Sequence, residues 1–177
     1  MNVWYSLSDI PGNEASVVTI GNFDGMHNGH KKVISTCIER AHKLGVDAVA
    51  ITFDPHPIQV HKPEVGLQLI SPLRDRLDAM AAAGLDATLV AHYDASVYSL
   101  EADEFVYEYL VERCGAREVV VGEDFRFGRG NAGTIDTLRE LGRRYGFNVI
   151  TVTDIEAPEG RRWSSSWVRE LLAAGDV

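Results

Sequence analysis

Residues 16–30 read Ser-Val-Val-Thr-Ile-Gly-Asn-Phe-Asp-Gly-Met-His-Asn-Gly-His, and this stretch predicts a buried strand, a tight loop and the start of a helix. The apolar run Val17, Val18 and Ile20 is typical of a strand that is covered on both faces. Gly21 and Gly25 allow the backbone to turn sharply and to approach a ligand closely. We therefore predict a strand whose carboxyl end carries a ligand-binding loop.

Two histidines, His27 and His30, lie three residues apart at the end of this stretch. If the helix begins near His27, the spacing places both imidazoles on one side of its first turn. Unpaired backbone N–H groups and the helix dipole favour an anion at this position. Gly29 leaves no side chain between the two rings. The pattern predicts a phosphate site in which two imidazoles stabilise charge that develops on a phosphoryl group.

The same two histidines have two other interpretations, a pair of metal ligands or a solvated surface pair. A zinc site needs further Cys, His or carboxylate ligands. The helical metalloprotease pattern spaces its histidines four apart with a glutamate between them. Neither pattern surrounds His27 and His30 in the sequence. We therefore favour the phosphate site and predict no metal-ligating residues.

The composition of the chain limits the kind of protein that it can be. With 177 residues, of which 45% are hydrophobic and 24% charged, it fits one globular domain. A net charge of −9 argues against a nucleic-acid or membrane partner, since both need a basic surface. The N-terminus lacks the order of a signal peptide, so we expect a cytoplasmic protein. The apolar neighbours of Cys37 and Cys114 predict two buried thiols without chemistry.

Apolar runs alternate with helical periodicities along the whole chain. Strands are predicted at 16–20, 48–53, 86–91, 118–121 and 148–153, and helices at about 27–44, 72–83, 100–113, 134–145 and from 164 onward. This alternation predicts an α/β fold with a doubly wound parallel sheet, which helices cover on both faces. Ligands in such sheets bind at the carboxyl ends of strands, where the strand order reverses. The loops that begin at Gly21, Asp54 and Gly122 all fall at such ends.

The loop at 122–133 combines glycines, an acid pair, two arginines and the aromatic residues Phe125 and Phe127. A solvated surface turn is the simpler interpretation, but it gives no reason for two phenylalanines. A planar heteroaromatic ligand would give an exposed ring a stacking partner. Asp124 could accept a hydrogen bond from a sugar hydroxyl or from a ring N–H. We favour a ligand loop.

Two further segments carry polar groups in rigid or capped settings. Asp54-Pro55-His56-Pro57 follows a predicted strand, although a histidine between prolines is often only a turn residue. The three hydroxyls of residues 164–166, flanked by arginines, exceed what an ordinary N-cap requires. They suit a clamp for the outer phosphates of a nucleoside triphosphate.

Four motifs together resemble the FAD synthetase module of prokaryotic bifunctional riboflavin kinase/FMN adenylyltransferases, of the nucleotidyltransferase superfamily. They are Gly-Asn-Phe-Asp-Gly-Met-His-Asn-Gly-His at 21–30, Thr-Phe-Asp-Pro-His-Pro at 52–57, Val-Gly-Glu-Asp-Phe-Arg-Phe-Gly at 121–128 and Ser-Ser-Ser-Trp-Val-Arg at 164–169. The resemblance covers nearly the whole chain. It implies a Rossmann-like, nucleotidyltransferase-type domain over 1–177 that converts ATP and FMN to FAD and pyrophosphate with Mg²⁺.

The resemblance also implies site residues. On the ATP side it places Gly21, Asn22, Phe23, Asp24, His27, Gly29, His30, Ser164, Ser165 and Arg169. The catalytic residues among these would be His27, His30, Ser165 and Arg169. On the flavin side it places Pro55, His56, Phe105, Asp124, Phe127 and Arg162. The phosphate of FMN can attack the α-phosphorus directly, so no Ser or Cys nucleophile is needed, and Mg²⁺ would be carried mainly by the phosphates.

Three departures from the family pattern stand out. Ser166 replaces a usual threonine, and His61 lies where an apolar or aromatic flavin contact is usual. The riboflavin kinase module that normally follows is absent from the 177 residues, so we expect no riboflavin kinase activity. Two alternatives stay open at this point: a related nucleotidyltransferase with another phosphate acceptor, or a flavin-binding module without turnover. The sequence leaves the oligomeric state open.

Overall fold

A computed structural model describes residues 1–12, 14–153 and 160–176. Its centre is one six-stranded sheet in the order β1-β4-β3-β2-β5-β6, and every neighbouring pair is parallel. The strands are β1 Asn2–Trp4, β2 Ser16–Ile20, β3 Asp47–Asp54, β4 Ala87–His92, β5 Ala116–Gly122 and β6 Asn148–Val152. The predicted α/β class and doubly wound parallel sheet are confirmed.

The strand order reverses at β2. From β2 the chain passes to β3 and β4 on one side, and then returns to the other side of β2 for β5 and β6. A crevice therefore opens at the carboxyl ends of β2 and β5, where loops leave in opposite directions. The loops that begin at Gly21 and Gly122 flank this crevice.

Helices cover both faces of the sheet. They are α1 Asn28–Leu44, α2 Pro57–His61, α3 Leu73–Ala83, α4 Ala95–Tyr98, α5 Ala102–Phe105, a π-helix Val106–Arg113, α6 Ile135–Tyr145 and α7 Ser165–Ala174. Pro72 is the N-cap of α3 and not its first helical residue, because its ψ of 161° is extended. The single helix predicted at 100–113 is α5 running into the π-helix.

Two apolar clusters, one on each face, bury the sheet. Adjacent residues of β2 point to opposite faces, so Val17 packs with Ile34 and Met80 while Val18 packs in the other cluster. Cys37 and Cys114 are both buried free thiols, as predicted. Among the described residues, none of the helices combines the length and the apolar character needed to cross a bilayer.

Candidate functional site

The predicted histidine pair, His27 and His30, lies at the N-terminus of α1. His27 is the N-cap, and its Nδ1 accepts a hydrogen bond of 3.4 Å from the His30 backbone N–H. The two rings stack at a centroid distance of 3.7 Å. A Cβ at Gly29 would lie 3.1 Å from the His27 ring, a close approach that would displace the ring by a few tenths of an ångström. Because Nδ1 accepts, a neutral His27 carries its proton on Nε2, which can donate to a ligand.

Burial keeps both imidazoles neutral. It is the main cause that lowers the pKa of His30 to about 3, and the neighbouring His27 lowers it further. Burial is also the main cause that lowers the pKa of His27, and the Arg162 cation lowers it further. The Asp24 carboxylate acts in the opposite direction and raises it. The Nδ1 of His30 is buried without a hydrogen-bond partner among the described residues.

The low pKa of His30 predicts a pH-dependent contribution to stability. Between about pH 6.5 and pH 3 the unfolded chain binds a proton at this position and the folded chain does not, so stability falls as the pH falls through this window. We expect His30→Gln to flatten the decline in the free energy of unfolding between pH 7 and pH 4. Urea titrations at several pH values measure this slope, and an unchanged slope in the variant would contradict the assignment.

Asp24 anchors the loop that precedes α1. Its side chain is fully buried and accepts hydrogen bonds from the backbone N–H groups of Ile70 and Ser71, both at 3.0 Å. The Arg169 guanidinium forms an ion pair with the same carboxylate. Asp24 therefore joins the β2 loop to the segment before α3 and to α7.

Helix α7 is attached to the same loop through its first residues. Ser164 is the N-cap, and its Oγ accepts a hydrogen bond from the Trp167 N–H. The Ser165 hydroxyl donates to the Asp24 carbonyl at 2.9 Å. The Nε of Arg169 donates to the Gln68 carbonyl at 2.8 Å. The N-termini of α1 and α7 therefore open towards the same space.

That space is a cavity of about 260 Å³, here called the histidine cavity. Its walls come from the β2 loop, α1, the ends of β5 and β6, and the start of α7. The residues that line it are Ile20, Gly21, Phe23, His27, Gly29, His30, Val33, Gly122, Asp124, Phe125, Val152, Thr153, Arg162, Trp163, Ser164 and Ser165. It brings together seven of the residues predicted for ATP.

A second cavity of about 320 Å³, here called the aromatic cavity, lies next to the first. The two cavities share the wall residues Ile20, Gly21 and Phe125. The lining of the aromatic cavity is Ile20, Gly21, Asn22, Phe53, Pro57, Ile58, Tyr93, Val97, Tyr98, Phe105, Phe125, Arg126, Phe127, Gly128 and Asn131. A pocket with this aromatic content suits a flat, apolar ring system.

Several predicted residues lie elsewhere than expected. Asn22, predicted for ATP, lines the aromatic cavity, whereas Asp24 and Arg169 line neither cavity and form an ion pair with each other. Asp124 and Arg162, predicted for the flavin, form an ion pair on the histidine cavity. Their flavin role stays a prediction.

The Pro-His-Pro turn differs from expectation as well. Pro55 and His56 line neither cavity, and it is the following Pro57 and Ile58 that reach the aromatic one. His56 is 4% exposed, and its Nδ1 accepts from the Ile58 N–H as the N-cap of α2. In this arrangement His56 shapes the turn and does not face the cavity.

Phe127, predicted for the flavin side, lines the aromatic cavity and is mostly buried in the protein. It is 5% exposed, stacks on Phe125 at 5.5 Å and packs near Phe105 at 6.2 Å. Two backbone hydrogen bonds, one in each direction between Phe127 and Gly133, fix its position. Phe127 therefore presents only part of its ring to the aromatic cavity.

One residue that sequence reasoning missed is Arg76, which is fully buried behind both loops. Its Nη1 donates to the Asn22 carbonyl at 2.9 Å, with the Phe53 carbonyl at 3.4 Å. Its Nη2 reaches Asp54 at 3.4 Å. The guanidinium holds the loop after β2 beside the loop after β3. The signal was an arginine on the apolar stripe of α3, three residues after Leu73.

We expect Arg76→Met to lower the free energy of unfolding by about 1–3 kcal/mol, because buried carbonyls lose their donor. Arg76→Lys should lower the free energy of unfolding by less than Arg76→Met does. Arg74→Met is the matched control on the same helix, since the Arg74 side chain is 90% exposed and only distantly paired with Asp78. Urea denaturation compares the three, and equal effects at both positions would contradict the role of Arg76.

Comparison with known proteins identifies the family. A family model described as FAD synthetase matches residues 9–167. A relative from Geobacillus thermodenitrificans (strain NG80-2) is 38% identical over 167 residues, which make up 94% of this chain and 86% of that protein. The bifunctional riboflavin kinase/FMN adenylyltransferase of Escherichia coli (strain K12) is 34% identical over 96% of this chain. The match spans only 53% of the E. coli protein.

Solved structures agree on the fold. A crystal structure described as a macrolide-efflux protein from Streptococcus pneumoniae matches with a TM-score of 0.84 and 27% identity, over 99% of this chain and 58% of that chain. Pantothenate synthetase from Thermus thermophilus matches with a TM-score of 0.64 and 14% identity, over 99% of this chain and 77% of that chain. At that identity the second likeness shows the fold alone.

Proposed function

Since the chain belongs to the FAD synthetase family, we propose that it transfers the adenylyl group of ATP to FMN and releases FAD and pyrophosphate. The observation that carries the proposal is the pair of joined cavities. The triphosphate lies in the histidine cavity, at the N-termini of α1 and α7, and the flavin ring lies in the aromatic cavity. Gly21, in their shared wall, allows the FMN phosphate to approach the nucleotide.

The reaction is a single displacement. An oxygen of the FMN phosphate forms a bond to the α-phosphorus of ATP while the bond from that phosphorus to the bridging oxygen breaks. The electron pair leaves on pyrophosphate. Phosphate is already a nucleophile at neutral pH, so the protein contributes alignment and charge stabilisation. Neutral His27 and His30 supply N–H donors beside the backbone N–H groups of the first turn of α1.

The outer phosphates are held by the start of α7. The Ser164 hydroxyl and the backbone N–H groups of Ser165 and the rest of the first turn provide the donors, while the Ser165 hydroxyl donates to the Asp24 carbonyl. Arg169 uses Nε and Nη2 for Gln68 and Asp24, so a phosphate contact would come from its Nη1. Arg169 thereby links nucleotide binding to the position of the β2 loop.

A magnesium ion fits this site as part of the nucleotide. Within the described ranges, no three His, Cys, Asp or Glu side chains come close enough together to enclose a metal. Asp24 lines neither cavity, and its carboxylate is held by Arg169 and two backbone N–H groups. Asp124, paired with Arg162, is the carboxylate that the described residues place on the wall of the histidine cavity. Mg²⁺ usually binds through substrate phosphates and one or two carboxylates. When bound, it would neutralise phosphate charge.

A steady-state comparison of acceptors tests the proposed function. The chain is mixed with ATP and Mg²⁺, and then with FMN, phosphopantetheine, nicotinate mononucleotide or glycerol phosphate. We expect turnover with FMN and little with the other three, because only a flavin fills the aromatic cavity. Turnover with another acceptor and none with FMN would contradict the proposal and favour a related nucleotidyltransferase.

A further inference from the structure

Tyr93 lines the aromatic cavity and pairs with His61, which lies outside the lining, and no part of the reaction above uses this pair. Tyr93 is the first residue after β4, and its backbone N–H donates to the Asp54 carbonyl at 3.0 Å. The Phe53 ring meets the Tyr93 ring edge-on at 5.4 Å. These contacts fix the half-buried Tyr93 ring beside the end of β3, where it lines the cavity.

His61, the last residue of α2, holds the Tyr93 hydroxyl. Its Nε2 lies 3.0 Å from that oxygen. The imidazole also packs edge-on against Tyr93 at 5.5 Å and against Tyr98 at 4.9 Å. His61 is exposed to solvent, so its packing against the two tyrosine rings does not by itself explain why this residue is a histidine. The departure at His61 therefore comes with a partner directly after β4 that gives it a defined contact.

The chemistry of the pair suits one part of a flavin. A tyrosine hydroxyl can donate one hydrogen bond and accept two. With one of these made to His61, the hydroxyl can still donate to a ring carbonyl or accept from a ring N–H, depending on the His61 tautomer. The isoalloxazine ring has flat apolar faces and one edge that alternates carbonyl and N–H groups. Phe53, Phe105 and Phe127 suit the faces, and a hydroxyl suits the edge.

We propose that the Tyr93 hydroxyl, oriented by His61, is a specificity-determining contact for the carbonyl and N–H edge of the flavin ring. The proposal rests on the proposed function. Tyr93 touches the ring, and His61 is a positioning residue that acts through Tyr93.

Tyr93→Phe tests the contact, because it removes the hydroxyl and keeps the ring. We expect the dissociation constant of FMN, measured by equilibrium dialysis, and the KM for FMN to rise about three- to tenfold, the loss typical of one hydrogen bond. The KM for ATP should stay within twofold. His61→Phe should cause a smaller rise, and the double variant should match Tyr93→Phe alone, because the two residues act as a unit. Tyr107→Phe, at a 47% exposed tyrosine of the π-helix outside both cavities, is the control.

An FMN affinity of Tyr93→Phe within twofold of the wild type would overturn the proposal, and so would equal losses for FMN and ATP. Additive effects of the two substitutions would overturn the role of His61. If the wild-type chain binds FMN and forms no FAD, the proposed function fails while dialysis still decides the role of Tyr93. A wild-type chain that binds no FMN would overturn both.

Discussion

His30→Ala should lower kcat for FAD formation by about 10²- to 10³-fold, the effect typical of removing one donor that stabilises a transition state. The donor is unusually well fixed. The His30 ring is stacked on His27 and edge-on to Phe23, and it stays neutral because burial lowers its pKa to about 3. Equilibrium dialysis should find FMN affinity nearly unchanged, because the aromatic cavity does not include His30.

His27 needs a different substitution, because it also caps α1. His27→Asn keeps a good N-cap and removes the Nε2–H donor. The variant should therefore form FAD more slowly while α1 stays folded. His42→Ala, at an exposed position of the same helix, is the control and should stay within twofold of the wild type. Single-turnover rates measure all three variants. If His30→Ala and His27→Asn both turn over at the wild-type rate, the histidines do not act in the reaction.

Asp24→Ala should lower the free energy of unfolding by about 3–5 kcal/mol, the cost of breaking a buried ion pair from one side. The substitution leaves the Arg169 guanidinium and the Ile70 and Ser71 N–H groups without their acceptor. It should also abolish most activity, because the β2 loop loses its attachment to α7. Chemical denaturation followed by circular dichroism measures the loss.

The control is Asp136→Ala, which breaks an ion pair with Arg139 on the surface. The Asp136 carboxylate is 91% exposed, so the cost should stay below about 1 kcal/mol. Similar losses for Asp24→Ala and Asp136→Ala would mean that Asp24 does not anchor the loop.

The central elements of the fold were predictable because each has a strong local signal. The strand at 16–20 and the helix that ends at Gly45 agree with the structure within a residue or two. The short elements β1 and α2 were not predicted, since three to five residues are too few to show a period. The π-helix continues the apolar stripe of α5, so the sequence predicted one helix there.

The site was predictable at the level of loops and less so at the level of side chains. Loops after β2, β3 and β5 were identified because glycines, prolines and histidines mark them. The contribution of β4 was missed, because Tyr93 and Tyr98 follow it without any such marker. Whether a charged residue faces a cavity or an internal partner depends on tertiary packing, so the buried pairing of Asp24 with Arg169 had no sequence signal.

Transfer of label from ATP to FMN measures the proposed reaction most directly. The chain is incubated with Mg²⁺, FMN and ATP that carries ³²P at the α-phosphorus, and the products are separated. The joined cavities predict label in FAD, unlabelled pyrophosphate and no labelled protein. Label that stays in ATP, or that appears on the protein or in AMP while FMN is unchanged, would contradict direct transfer between the two cavities.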